Sequence, residues 1–228
     1  MKSQKETKTS LQPHGRWYND ACGTAFALEL LGERWSLLIV RELLFGGRRF
    51  SDLRASLPGL SAKSLTERLS GLEEAGVVRR SELDQLPGVS VYELTEWGKR
   101  ADVAIMELGR WAAMSPHHNP TLPLSPVSLM LSFRTMFDPQ LAAGLSLVGA
   151  IVIGAERFAV TVSAGRLAIR RGRADAAQFT LSAPSAMTLA AAVYGKQPFA
   201  ELAHLRVEGD EAAARAYVGL FHLPKKLG

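Results

Sequence analysis

Between residues 61 and 72 lies the densest group of side chains suited to recognition chemistry. Leu65, Leu69 and Leu72 recur at helical spacing and form one apolar stripe. The opposite face then presents Ala62, Lys63, Thr66, Glu67 and Ser70. Small and polar side chains near the start of a helix suit entry into a duplex major groove, about 12 Å wide, where base edges are exposed. The N–H groups at Ser61–Ser64 have no partner inside such a helix, so they can donate to a phosphate. Lys63 and Arg68 add positive charge; Arg48, Arg49 and Arg54 precede them, and Arg79 and Arg80 follow. Residues 48–80 hold seven basic and four acidic side chains. The chemistry implied is non-covalent: phosphate contacts to position the chain and base-edge contacts to read sequence. A solvated charged face explains the same residues equally well at this level.

Cys22 sits near the start of another helix, where N–H groups lower a thiol's pKa and favour the reactive thiolate. The competing role is a small packing residue. His117 and His118 stand together without a Cys or third His at metal-binding spacing, and no metal site is expected. Arg170-Arg171-Gly172-Arg173 could meet phosphate or acidic lipid, or guard a strand edge against sheet-to-sheet pairing. No glycine-rich phosphate loop, zinc-protease helix or nucleophile elbow occurs. No nucleophile has an evident base partner. The expectation is therefore no catalytic residue, no cofactor and no enzymatic activity.

The elements that position these residues come from 228 residues, 47% of them hydrophobic, with a formal charge of +5. That length fits one large or two small domains, and the apolar fraction excludes a disordered or collagen-like chain. The best apolar run, Leu141 to Gly154, is shorter than the roughly 18 residues of a membrane span. The polar N-terminus lacks a signal-peptide core. One cysteine cannot form an internal disulfide, so a cytoplasmic home without membrane attachment is expected. A pI near 9.6 invites nucleic acid as a partner. Bulk charge does not locate the binding half, because residues 1–118 carry 16 basic and 15 acidic side chains and residues 119–228 carry 11 and 7.

Pro116, Pro120, Pro123 and Pro126 favour an extended path. The organisation expected is a flexible basic tail over 1–16, a first domain over 17–114, a Pro-rich linker over 115–126 and a second domain over 127–228. In the first domain Asp20 is expected to cap a helix over Ala21–Leu31, followed by helices Arg34–Phe45, Phe50–Leu57 and Ala62–Ala75, the last capped by Ser61. Gly76 ends it. Strands Val77–Glu82 and Val89–Leu94 follow, then a helix from Glu96 to about Met114. Helices followed by a β-hairpin are the order of a winged helix-turn-helix.

In the second domain Leu145–Ile153 reads as a buried strand. Phe158, Val160 and Val162 alternate with polar or small residues, as do Leu167 and Ile169, and Phe179 and Leu181. Helices are expected over Pro184–Tyr194 and Glu211–Phe221. The fold class is α+β, with an antiparallel sheet and helices on one face.

Several segments resemble the HxlR type of bacterial winged-helix transcription regulator: Cys22-Gly23-Thr24-Ala25, Leu30-Leu31-Gly32-Glu33-Arg34-Trp35, Ile39-Val40-Arg41-Glu42-Leu43, Arg49-Phe50-Ser51-Asp52-Leu53, Ser61 through Leu69, Leu72 through Val78, Tyr92-Glu93-Leu94-Thr95 and Gly98. The likeness spans roughly residues 20–112. It implies a homodimer, with the first and last helices packed across a two-fold axis, on double-stranded operator DNA. The DNA-contacting set would be Arg48, Arg49, Ser61, Ala62, Lys63, Ser64, Thr66, Glu67, Arg68, Arg79 and Arg80. The wing loop, Leu86-Pro87-Gly88-Val89-Ser90, departs from the family by carrying no basic residue. Arg79, Arg80 or the basic tail would supply phosphate contacts instead. The resemblance also implies a sensing role for Cys22, since several family members use a cysteine at this place to sense oxidants or electrophiles.

Leu205 through Asp210 and the helix ending Leu220-Phe221-His222-Leu223-Pro224 resemble the end of a sterol-carrier-protein-type domain. That likeness implies an apolar tunnel for an apolar small-molecule or lipid effector. Its candidate lining is Leu147, Phe158, Val160, Val162, Phe179, Leu181, Met187, Leu189, Phe199 and Phe221; a filled core is the alternative. The function expected is a repressor with an effector domain. The competing functions are a hydrophobe carrier dimerised by its first domain, and an enzyme acting on an apolar substrate in the second.

Overall fold

A computed structural model describes residues 18–83 and 86–227. The expected basic tail, with Lys2, Lys5 and Lys8, lies outside the described residues. The chain packs as two compact units that meet in sequence at Arg100 and Ala101. The expected linker, 115–126, lies within the second unit.

The first unit opens with α1 (Gly23–Leu31) and α2 (Ser36–Leu43). Asp20 does not cap α1: Cys22 holds the cap position, and the Asp20 carboxylate accepts from the Cys22 N–H at 2.9 Å. Helix α2 is shorter than Arg34–Phe45 because Trp35 adopts a left-handed φ of 81°, which a helix interior forbids. Helix α3 (Phe50–Ser56) and α4 (Ala62–Glu74) follow. Ile39, Val40, Leu53, Leu65, Leu69 and Leu72 meet in one core, each almost wholly removed from water.

Strands β1 (Val78–Leu83) and β2 (Leu86–Leu94) pair antiparallel, with Arg79 opposite Glu93 and Arg80 opposite Tyr92. Arg48 adds a short third edge, its N–H and C=O bonded to Tyr92 at 2.9 and 2.8 Å. A short helix, α5 (Glu96–Lys99), closes the unit. Its Gly98 is required by contact: an added Cβ would lie 2.1 Å from the Val77 carbonyl oxygen. The single helix expected from Glu96 to Met114 is in fact two, because the chain turns at Arg100 and Ala101.

The second unit starts with α6 (Asp102–Ala113) and α7 (Pro126–Met136). The Arg134 guanidinium reaches Asp102 at 2.8 Å and ties the two together. Five strands follow: β3 (Leu147–Ile153), β4 (Glu156–Ser163), β5 (Arg166–Arg171), β6 (Phe179–Ala183) and β7 (Arg206–Gly209). Their order in the sheet is β5-β4-β3-β6-β7. The sheet is mixed, which corrects the antiparallel expectation: β3 and β6 run parallel, with Gly149 beside Phe179. The reason is topological. Residues 172–178 carry the chain from the end of β5 to the far side of β3, so β6 enters in the direction of β3. The β4–β5 turn is Ala164-Gly165, with φ of 49° and 68°, a pair that matches the twist of a tight hairpin.

Helix α8 (Ala186–Val193) starts later than Pro184, because the Ser185 side chain takes the cap from outside it. Helix α9 (Glu211–Val218) is capped by Asp210, as its sequence indicates. Along β3 burial alternates strictly, with Leu147, Gly149, Ile151 and Ile153 turned inward. Phe133 of α7, Phe179 of β6, Tyr217 of α9 and Phe221 fill that inner side, with Phe133 stacked on Phe221 at 4.6 Å between ring centres. Gly149 makes room for the Phe179 ring, whose Cζ would stand 2.2 Å from any added Cβ.

Candidate nucleic-acid interface

Helix α4 carries the group of residues at 61–70, and its geometry follows from local rules. The Ser61 hydroxyl accepts the Ser64 N–H at 3.1 Å, satisfying one of the orphan donors at the helix start. The Thr66 hydroxyl donates to the Ala62 carbonyl at 3.0 Å, which keeps that side chain close to the helix surface. Leu65, Leu69 and Leu72 turn inward, so Ala62, Lys63, Thr66, Glu67 and Ser70 lie on the other side. Lys63 is 87% exposed and only loosely paired with Glu67 at 3.9 Å. Exposed pairs of that kind contribute little, so the lysine is available to an anion.

The arginines divide into distinct groups. Arg49 is exposed at the start of α3, and Arg54 is exposed further along it. Arg79 and Arg80 are exposed on β1; the first bonds Glu93 at 2.9 Å and the second bonds the Ser90 hydroxyl at 3.1 Å. Arg68 is half-buried and paired with Glu33 at 3.2 Å, so it braces α4 against the segment after α1. Arg48 departs from the surface role expected of it. It is 8% exposed, and its guanidinium faces the fully buried Glu42 at 3.9 Å. That burial makes it a positioning residue that fixes the strand edge at Tyr92 and the chain entering α3. Its partner is on α2, six residues earlier, and charge alone in the sequence does not distinguish such an inward pair from a surface patch.

Cys22 is exposed just before α1. Backbone hydrogen bonds from Thr24 and then Ala25, together with the Thr24 hydroxyl, hold its thiol below the usual pKa range by stabilising the thiolate. Among the described residues no group of three or more His, Cys, Asp or Glu is placed to hold a metal ion. No helix among them is long and apolar enough to cross a membrane.

Most of the expected tunnel lining is inward-facing. Leu147, Phe158, Val160, Val162, Phe179, Leu181, Leu189 and Phe221 are buried; Met187 and Phe199 are half-buried, and the Arg215 guanidinium sits 4.8 Å over the Phe199 ring. Four neighbours escaped sequence reasoning: Ser132 and Phe133 on α7, Tyr194 and Tyr217. The Ser132 and Tyr194 hydroxyls share a hydrogen bond at 2.6 Å, and burial pushes the Tyr194 phenol upward. The Tyr217 hydroxyl is wholly buried and has no hydrogen-bond partner among the described residues. The Ser125-Pro126 pair, a cap followed by proline at the first helical position, was the available signal for α7.

Comparison with known proteins places residues 30–119, which take in most of the first unit and α6 of the second. The HxlR-like helix-turn-helix family model matches residues 30–119. The uncharacterised HTH-type transcriptional regulator YvaP of Bacillus subtilis is 43% identical over 86 residues, which span 38% of this chain and 80% of that protein. The HTH-type transcriptional regulator YodB of the same organism is 38% identical over 86 residues, covering 38% of this chain and 77% of that one. Among solved structures, the reduced form of YodB is 34% identical, covers 43% of this chain and 97% of its own, and superposes with a TM-score of 0.39. With relatives at 43% and 38% identity matched over 80% and 77% of their own length, the chain belongs to the HxlR family of helix-turn-helix transcriptional regulators.

Proposed function

We propose that this chain is a cytoplasmic, homodimeric repressor that reads operator DNA through α4. The observation that carries this reading is the solvent-facing row Ala62, Lys63, Thr66 and Glu67 on a helix capped by Ser61. Ser61, Ser64 and Arg49 join that row as phosphate contacts, and Arg79 and Arg80 reach the backbone from the wing. Exposed apolar side chains on two helices support a dimer: Phe26 and Leu28 on α1, and Val103, Leu108 and Trp111 on α6. Large exposed apolar side chains in groups mark association surfaces. A two-fold dimer sets its α4 helices about 34 Å apart, one turn of duplex. Selection of bound fragments from the host genome tests this. Enriched fragments are expected to share an inverted repeat with half-sites one turn apart, whereas fragments without common sequence contradict it.

The second unit is assigned an effector role. Support comes from the buried Tyr217 hydroxyl, since a buried polar group without a partner is costly; the rings of Phe133, Phe179 and Phe221 fill the inner side of the sheet, so a ligand reaches it by displacing them. A ligand carrying a hydrogen-bonding group would satisfy that hydroxyl. Such a ligand shifts DNA binding only by favouring one dimer geometry over the other. Repeating the fragment selection with cell-extract lipids is expected to change the enriched set or its yield; an identical result removes the effector role.

Cys22 is assigned as a thiol switch. Its depressed pKa means that more thiolate is present at neutral pH than in an ordinary cysteine. The midpoint of iodoacetamide alkylation against pH is expected below that of a free peptide thiol. Oxidant is expected to loosen DNA binding of the wild type and to leave Cys22→Ser unaffected. Equal responses of the two proteins refute the assignment.

A further inference from the structure

The outer side of the second unit's sheet carries a cluster of arginines that the proposed function does not use. By register, Arg157, Val152, Ser182 and Arg206 form one row across β4, β3, β6 and β7. Arg170, Ala159, Ala150, Thr180 and Glu208 form the next row. Arg166 lies opposite Ser163 on the same side. These positions are one residue out of phase with Ile151, Phe158 and Val160, so they face away from the aromatic core. Arg157, Arg166, Arg170 and Arg206 are all exposed.

Standard sheet spacings set the scale. Arg157 and Arg170 are diagonal neighbours, about 7–8 Å apart at Cα. Arg166 and Arg170 are four residues apart on one strand, roughly 13 Å. Arg157 and Arg206 are three strands apart, roughly 14 Å. Glu208 shares this side of β7 with Arg206 and offsets part of the charge; the other acids nearby offset little of the rest. Asp175 reaches Arg170 only at 3.7 Å, from a nearly fully exposed position, and Glu156 is committed to Arg171. Among the described residues no carboxylate forms an ion pair with Arg157, Arg166 or Arg206. Like charges on neighbouring strands repel, and a bound polyanion reverses that term.

We infer that this arginine face is a second contact for the phosphate backbone of duplex DNA. The inference rests on the DNA-binding reading of the first unit, which holds a duplex near the second at high effective concentration. Arginine matches phosphate with paired N–H donors. The face carries no aromatic side chain on which unpaired bases could stack. Its central residues are Ala, Val, Thr and Ser, with no large apolar side chain to enter a lipid surface.

The test uses the full chain and its triple variant, Arg157→Gln, Arg166→Gln and Arg170→Gln. Binding to a fluorescent 40-base-pair duplex of random sequence is measured from 50 to 200 mM KCl, with thermal unfolding as the fold control. Each lost phosphate contact lowers the slope of log K against log salt by about 0.9. The variant is expected to lose roughly 2–3 from that slope and to bind at least tenfold more weakly at 100 mM KCl. An unchanged slope in a folded variant overturns the inference and leaves the α4 reading intact. Arginine-dependent binding to phosphatidylglycerol vesicles with an unchanged DNA slope overturns it in favour of a membrane. A wild type that ignores the duplex throughout removes the DNA reading and this inference together.

Discussion

Glu42→Ala is expected to destabilise the first unit by about 3–5 kcal/mol, the usual cost of removing one partner from a buried ion pair. Glu42 on α2 is fully buried. Its Oε1 accepts from the Arg41 Nη2 at 2.9 Å, and its Oε2 faces the Arg48 Nη1 at 3.9 Å. Removing the carboxylate takes a buried negative charge from beside the nearly closed-in Arg48 guanidinium. The cost is local but its consequences are not, because Arg48 also holds the strand edge at Tyr92 and the chain entering α3. The control is Glu67→Ala, which breaks only the exposed pair with Lys63 and is expected to change stability by less than about 0.5 kcal/mol. Urea unfolding followed by tryptophan fluorescence compares them. Equal midpoints for the two variants contradict the inward role of Arg48.

Phe133→Ala is expected to cost about 3–5 kcal/mol in the second unit, the range for deleting a buried ring that its neighbours cannot replace. Phe133 lies between Tyr194 at 6.2 Å, Tyr217 at 6.1 Å and Phe221 at 4.6 Å, measured between ring centres. These partners come from two segments, the end of α8 and the end of α9, so no single rotamer change fills the space. Because Glu42 and Phe133 belong to separate compact units, the two losses are expected to add within about 0.5 kcal/mol. Calorimetry of the single and double variants measures this. A Phe133→Ala loss under about 1 kcal/mol would mean that the second unit is not organised around this helix.

The parts that were legible from the residues are those whose causes are local. Ser61, the leucines at 65, 69 and 72, and Gly76 define α4 within sixteen positions, and each acts within a turn of itself. Asp210 does the same for α9, and Ala164-Gly165 for the hairpin between β4 and β5. The misreadings have non-local causes. Helix α7 is buried on almost every side, so Val127-Ser128-Leu129-Met130-Leu131 shows no polar face, and the prolines before it suggested an extended path. The parallel pairing of β3 with β6 is decided by where residues 172–178 lead, which strand alternation does not record. The inward turn of Arg48 depends on Glu42 being buried on α2. The break between α5 and α6 carries no proline or glycine at Arg100 and Ala101 to mark it.

The most direct measurement is retardation of a fragment containing the protein's own promoter, at modest ionic strength with Cys22 kept reduced, for the wild type and Lys63→Ala. If α4 reads the duplex, the wild type shifts the fragment. The variant binds it roughly 5- to 150-fold more weakly, the equivalent of about 1–3 kcal/mol, while its mass in solution stays that of the wild type. A wild type that leaves the fragment unshifted, or a Lys63→Ala protein that binds it equally well, contradicts recognition through this helix face.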